Sequence, residues 1–215
     1  MHIPTTRKYL AAAGLGALLC AASAGAYPLF DVSVDETEAP IPAVEYYNAG
    51  HDQYFVTTSQ DEMAVLDAGA IGGWVRTGSA PGFLAFADKV RVRGMEAADA
   101  GASPVCRFFI PPASHFLSVS ADECAAVAAA HPEFTLESTA AFYAWVPRDD
   151  GTCPQLYTKI GGFEFQPVYR LWNKRPDTNH RFTANKAARD AMVDEGWVSE
   201  GAGDDGVAMC VPVWK

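Results

Sequence analysis

Positive charge is what this chain most conspicuously lacks. Its 215 residues hold 16 Lys and Arg against 26 Asp and Glu, a formal net charge of −10. A nucleic-acid partner needs a basic stripe that displaces counterions, so a nucleic-acid role has no electrostatic footprint here, and an anionic membrane surface is disfavoured for the same reason. Long apolar runs are missing too. The one candidate, Leu10–Ala24, falls short of the roughly 20 residues that cross a bilayer, so no membrane span is expected in the mature chain. No two cysteines, and no cysteine and histidine, stand at the spacing of a zinc site, and no Gly-x-Ser-x-Gly elbow surrounds a serine. Neither a metal nor a cofactor is expected.

What is present suits a folded, exported protein. Hydrophobic residues make up 49% and aromatics 12%, ample for a core and far from a disordered composition. Arg7 and Lys8 precede the short apolar stretch, and Ala24-Gly25-Ala26 supplies the small-x-small pattern of a signal-peptidase site. Residues 1–26 therefore read as a signal peptide, 27–40 as a spacer and 41–215 as a single domain. The expected location is secreted or periplasmic. Of five cysteines, Cys106, Cys124, Cys153 and Cys210 remain after cleavage, an even number that argues for two disulfides with three possible connectivities.

The strongest internal signal is self-similarity. Val44–Asn48 recurs as Val105–Phe109 and again as Val168–Asn173. Each run is followed by an alternating run (Gln53–Thr57, His115–Val119, His180–Ala184), a helix start, and an aromatic segment (Trp74, Phe134, Trp197) leading to an apolar run. Two of the helix starts, at Ser59 and Ser120, carry Glu three residues on, the pattern of a capping box. These features predict an α+β fold of three ββαβ-type repeats, about 43–90, 104–148 and 167–213, around a pseudo-threefold axis. The runner-up is a β-trefoil, which lacks a helix in each repeat. The alignment sets Cys106 and Cys124 beside Glu45 and Met63 of the first repeat and Tyr169 and Arg189 of the third. Only the second repeat has cysteine at either place, and it has it at both. That predicts Cys106–Cys124 within the repeat, leaving Cys153–Cys210 to bracket the third.

The segments Pro104–Phe109, His115–Val127, Ala141–Pro154, Pro167–Asn173, Asn179–Thr183, Arg189–Gly201 and Val207–Trp214 resemble a bacterial secreted, triplicated-repeat domain catalogued as a domain of unknown function. The likeness extends over about residues 41–213. In that family the module is often appended to secreted hydrolases, so the resemblance implies an accessory or binding role rather than chemistry.

The residues that could carry chemistry have structural readings beside them. His115 and His180 fall at one repeat position, where the first repeat has Gln53, a poor metal ligand and a good hydrogen-bond partner. Ser114, Ser118, Ser120 and Asp122 lie near His115, but a helix start needs such residues anyway. Asp149-Asp150-Gly151 and Asp204-Asp205-Gly206 read as turns before they read as catalytic carboxylates. Trp74, Phe134 and Trp197 are expected in the core. Tyr47, Phe109 and Trp172 flank the hairpin tips, where aromatics could stack on a ligand, and Arg175 adds a cation at the third tip. The expectation is a monomeric, non-catalytic module that binds extracellular glycan or peptide through Tyr47, Phe109, Trp172 and Arg175. The alternatives are a small secreted hydrolase using a repeat histidine as base, or a structural scaffold.

Overall fold

The computed structural model describes residues 40–88, 101–155 and 164–213. The expected signal peptide and the spacer up to residue 39 lie outside them. Three long strands organise what is described. Strand β1 (Ile41–Asn48) pairs with β2 (Gln53–Thr57), β3 (Trp74–Arg76) and β4 (Phe83–Ala85), and helix α1 (Gln60–Asp67) connects β2 to β3. Strand β5 (Ser103–Ile110) lies between β6 (Ser114–Ser118) and β7 (Thr135–Ala144), with helix α2 (Ala121–Ala130) between those two in sequence. Strand β8 (Phe165–Trp172) pairs with β9 (His180–Thr183), β10 (Val198–Glu200) and β11 (Val207–Pro212), and helix α3 (Lys186–Asp194) links β9 to β10. All pairings are antiparallel.

The described residues are thus mostly β-sheet, in three small antiparallel sheets with three helices, and the predicted α+β fold of ββαβ repeats is corrected. The reason lies in the helices. They run only 8 to 10 residues, below the length at which a helix holds itself together in water. They also bury little: Met63 and Leu66 from α1, Met192 from α3, and no residue of α2. α1 sets its two buried residues against Val44, Tyr46 and Phe55 on one face of the first sheet. The core belongs to the strands, where Ala43, Phe83, Val105, Phe142, Val168 and Met209 bring all three sheets into one apolar cluster.

Local chemistry starts the helices where expected. The side chains of Ser59, Ser120 and Asn185 accept hydrogen bonds from the backbone N–H of Glu62, Glu123 and Ala188. The disulfides join Cys106 to Cys124 and Cys153 to Cys210. The first tethers α2, which has no buried anchor, to β5. The alignment of the first sheet shifts by one residue: Ala43, not Val44, joins Val105 and Val168 in the central core, while Val44 packs with Met63 on the other face. Strand faces alternate, so a slip of one residue exchanges every partner.

Candidate functional site

The shift by one sets Glu45, Arg107 and Arg170 at corresponding places in β1, β5 and β8, opposite Val56, Leu117 and Phe182 respectively. All three make charge contacts to a neighbouring sheet or its helix. Arg107 donates from Nη1 and Nη2 to the two oxygens of Glu62, at 3.0 and 2.6 Å, across the boundary to α1. Arg170 does the same to Glu123 of α2, at 3.0 and 2.8 Å. At the third boundary the signs reverse, and Arg181 of β9 donates to Glu45 at 2.9 and 3.0 Å. Each guanidinium also lies over an aromatic ring: Arg107 over Phe55 at 5.4 Å, Arg170 over Phe116 at 4.7 Å and Arg181 over Tyr54 at 4.5 Å.

Glu62 and Glu123 are free for this because another residue has taken half of the capping box. The backbone N–H of Ser59 donates to the Thr57 hydroxyl and that of Ser120 to the Ser118 hydroxyl, so neither glutamate turns back on its own helix. The Glu62 carboxylate instead accepts from Thr57 and Arg107. Burial works to raise its pKa, but these two partners outweigh it and hold the group below the usual carboxylate range.

A cavity of about 500 Å³ opens on the Arg107 cluster, between α1 and the β5–β6 hairpin. Its floor carries Glu62, Arg107, Glu137 and His115. Arg107 Nε lies 2.8 Å from the Glu137 carboxylate, near enough for charge but off the line of a hydrogen bond. His115 packs between the rings of Phe55 and Phe109, at 4.5 and 5.4 Å, with Nε2 3.5 Å from Glu137. Burial, helped by the Arg107 charge, lowers its pKa to about 3, so the imidazole is neutral at physiological pH. The walls are apolar: Trp74, Val65 and Ile71 on one side, Phe109 and Pro112 on the other. Val65 is 41% exposed and Ile71 54%, large aliphatic side chains left facing water. His180 repeats part of this arrangement at the next boundary, buried against Phe116 with Nε2 3.3 Å from Glu200. Burial again lowers its pKa, against the opposing pull of Glu200.

The profile of one family, Domain of unknown function (DUF5648), matches residues 148–208. That span holds β8 to β10 and stops short of the cavity. No curated protein matches, and no solved structure matches.

The residues singled out from sequence fall in different places. Phe109 lines the cavity. Tyr47 and Arg175 meet instead on Asp52: the Tyr47 hydroxyl donates to it at 2.6 Å, and Arg175 pairs with it and with Asp177. The bond to Asp52 pushes the Tyr47 hydroxyl pKa up to about 12. Asn179 donates to the Asp52 carbonyl, and Gln53 to that of Asp177, so the first and third hairpin tips are locked together. Trp172 is half-buried on β8 opposite His180. The structure therefore brings Tyr47 and Arg175 together and leaves Phe109 and Trp172 each apart.

Several other sequence readings change. Tyr54, not Gln53, holds the place of His115 and His180, each standing opposite an aromatic: Tyr47, Phe109 and Trp172. The histidines face carboxylates rather than hairpin backbone. Ser114 and Ser118 are buried, Ser120 is an N-cap, and Asp150 closes its own turn onto Thr152. Trp74 packs at the edge of the first sheet's cluster and also walls the cavity. Among the described residues no group of three His, Cys, Asp or Glu could hold a metal, and no helix is long and apolar enough to cross a membrane. Sequence reasoning missed Glu62, Arg107 and Glu137 as a set. The available signal was a capping-box glutamate whose helix already had a hydroxyl two residues before the cap.

Proposed function

We propose that this protein is an exported bacterial binding module, derived from a triplicated unit, that holds a segment of extracellular peptide in the cavity between α1 and the β5–β6 hairpin. The observation that carries this is the wall of exposed aliphatic side chains, Val65 and Ile71, with the half-buried rings of Trp74 and Phe109 beside them, over a floor whose charges are already paired. Large apolar groups left exposed together mark recognition surfaces, and a volume near 500 Å³ is that of a ligand pocket. Aliphatic walls suit a peptide side chain better than a polyhydroxylated sugar. A glycan stacked on Trp172 and held by Arg175 has less support, because Asp52 and Asp177 already occupy that guanidinium. The signal-peptide pattern of residues 1–26 and the two disulfides support export into an oxidising compartment.

A non-catalytic role is the better fit to the floor chemistry. A general base works best with a pKa near the working pH. His115, at about 3, is a weak base, and Glu62 is held ionised by Arg107 and Thr57. The test is selection from a displayed peptide library with the mature protein, run beside a glycan array. Peptides enriched by the wild type and lost with Ile71→Asp support the proposal. Enrichment that survives Ile71→Asp, or binding confined to glycans, refutes it.

A further inference from the structure

The charges around the cavity select among peptides. Asp61, Glu62 and Glu137 line it against the single cation Arg107, and His115 is neutral. Glu62 and Glu137 share Arg107. Asp61 sits on the first turn of α1, exposed at the rim, where its carboxylate lies beside Val65 one helical turn on. The cavity is therefore apolar in its walls and negative in sum, on a protein already at −10. We infer that its ligand is a peptide carrying an aliphatic residue directly beside a lysine or arginine, the aliphatic side chain between Ile71 and Phe109 and the cation at Asp61. This rests on the binding role proposed above and specifies its ligand.

The geometry divides the work between the two side chains. Burying the aliphatic group against Val65, Ile71 and Trp74 supplies the attraction, since contact between apolar surfaces is the term that scales with area. The cation supplies selectivity: an exposed pair adds modestly, while a like charge at the same place is repelled. Arg107 does not undo this preference, because both of its carboxylate partners are in contact with it and its own charge is spent.

The test uses the isotopically labelled mature protein and three blocked peptides, acetyl-Ala-Leu-Lys-Ala-amide and its Gln and Glu counterparts, followed by amide and indole chemical shifts. The lysine peptide is expected to shift Val65, Ile71 and the Trp74 indole saturably, with an affinity about three- to fivefold above the Gln peptide and a larger margin over the Glu peptide. That margin should shrink as salt is raised. Asp61→Asn should bring the lysine and Gln peptides level without altering the fold, since Asp61 is exposed. Equal affinity of all three peptides for the wild type overturns the charge selectivity while leaving the cavity a peptide site. Shifts that persist unchanged in Ile71→Asp, or no saturable shift from any peptide, overturn the peptide reading and this inference with it.

Discussion

Acidification should loosen this protein well before its carboxylates begin to protonate, because two histidines are buried neutral. His115 is hemmed in by Arg107, Glu62 and Glu137, with Phe55 and Phe109 against its ring. Its pKa falls from 6.5 to about 3, with burial the leading cause and the Arg107 charge the next. An unfolded chain takes up a proton on this ring near pH 6.5, whereas the folded chain does not until about pH 3. Between those values the unfolded state binds more protons, so stability present above pH 6.5 is lost as pH falls. The slope approaches about 1.4 kcal/mol per pH unit, which gives about 2 kcal/mol between pH 7 and pH 5 from His115. His180, facing Glu200, Arg170 and Glu123, has its pKa lowered too and acts in the same direction. Glu62, Glu123 and Glu200 are lowered as well, but their contribution is lost only nearer pH 4, below this window.

Urea unfolding of the disulfide-intact protein at pH 7, 6 and 5 measures the effect directly. His115→Gln should remove the His115 share, about 2 kcal/mol between pH 7 and pH 5, since glutamine fits a polar site without titrating. A wild-type stability that is flat from pH 7 to pH 5 would refute the assignment of these rings as buried and neutral.

Three further outcomes follow from the same contacts. Arg107→Met should destabilise by about 2 kcal/mol, less than a fully buried pair would lose, because Glu62 and Glu137 keep about a third of their side-chain surface in water. A cycle with Glu62→Gln should recover part of that loss, and strict additivity in urea titrations would deny the coupling. Converting Cys106 and Cys124 to alanine opens a loop of sequence separation 18, worth about 3 kcal/mol. Hydrogen exchange should then show α2 losing protection ahead of β5, since no α2 residue is buried. Gly203→Ala drives a Cβ into the Asp150 carbonyl oxygen at a φ of +63°, and a drop in thermal midpoint equivalent to about 1–3 kcal/mol is expected.

Local features were legible in the sequence because local chemistry decides them. The caps at Ser59, Ser120 and Asn185 need only a side chain and the next turn, and the cysteine pairs needed only an internal comparison. Fold class was not legible because it depends on how much each element buries. The run Ala121–Ala130 reads as an apolar helix, yet none of its side chains is fully buried: Cys124 and Val127 only half-bury against the cluster of Phe108 and Phe116, and the disulfide tethers α2. The one-residue slip in the first sheet has a similar origin. Valine looks like the better match to Val105 and Val168, but the crowded junction of three sheets accepts Ala43, and Val44 fills the opposite face against Met63.

The site was hidden for a different reason: its charges pair across sheets, with Glu62 and Arg107 45 positions apart in the chain. Within any one sheet each of these residues has an ordinary reading, a capping glutamate or a strand arginine. Only once the slip is corrected do Glu45, Arg107 and Arg170 fall into one row, with the sign reversed in the first sheet and Arg181 supplying the cation there. The exchange of charge at the third boundary follows from the third helix. α3 starts with Asn185 and has Ala188 where α1 and α2 have Glu62 and Glu123, so the third boundary must draw its carboxylate from β1. At the first boundary the ring closes beneath the exposed side chains of Val65 and Ile71, and there an apolar cavity stands open above charges that are already paired.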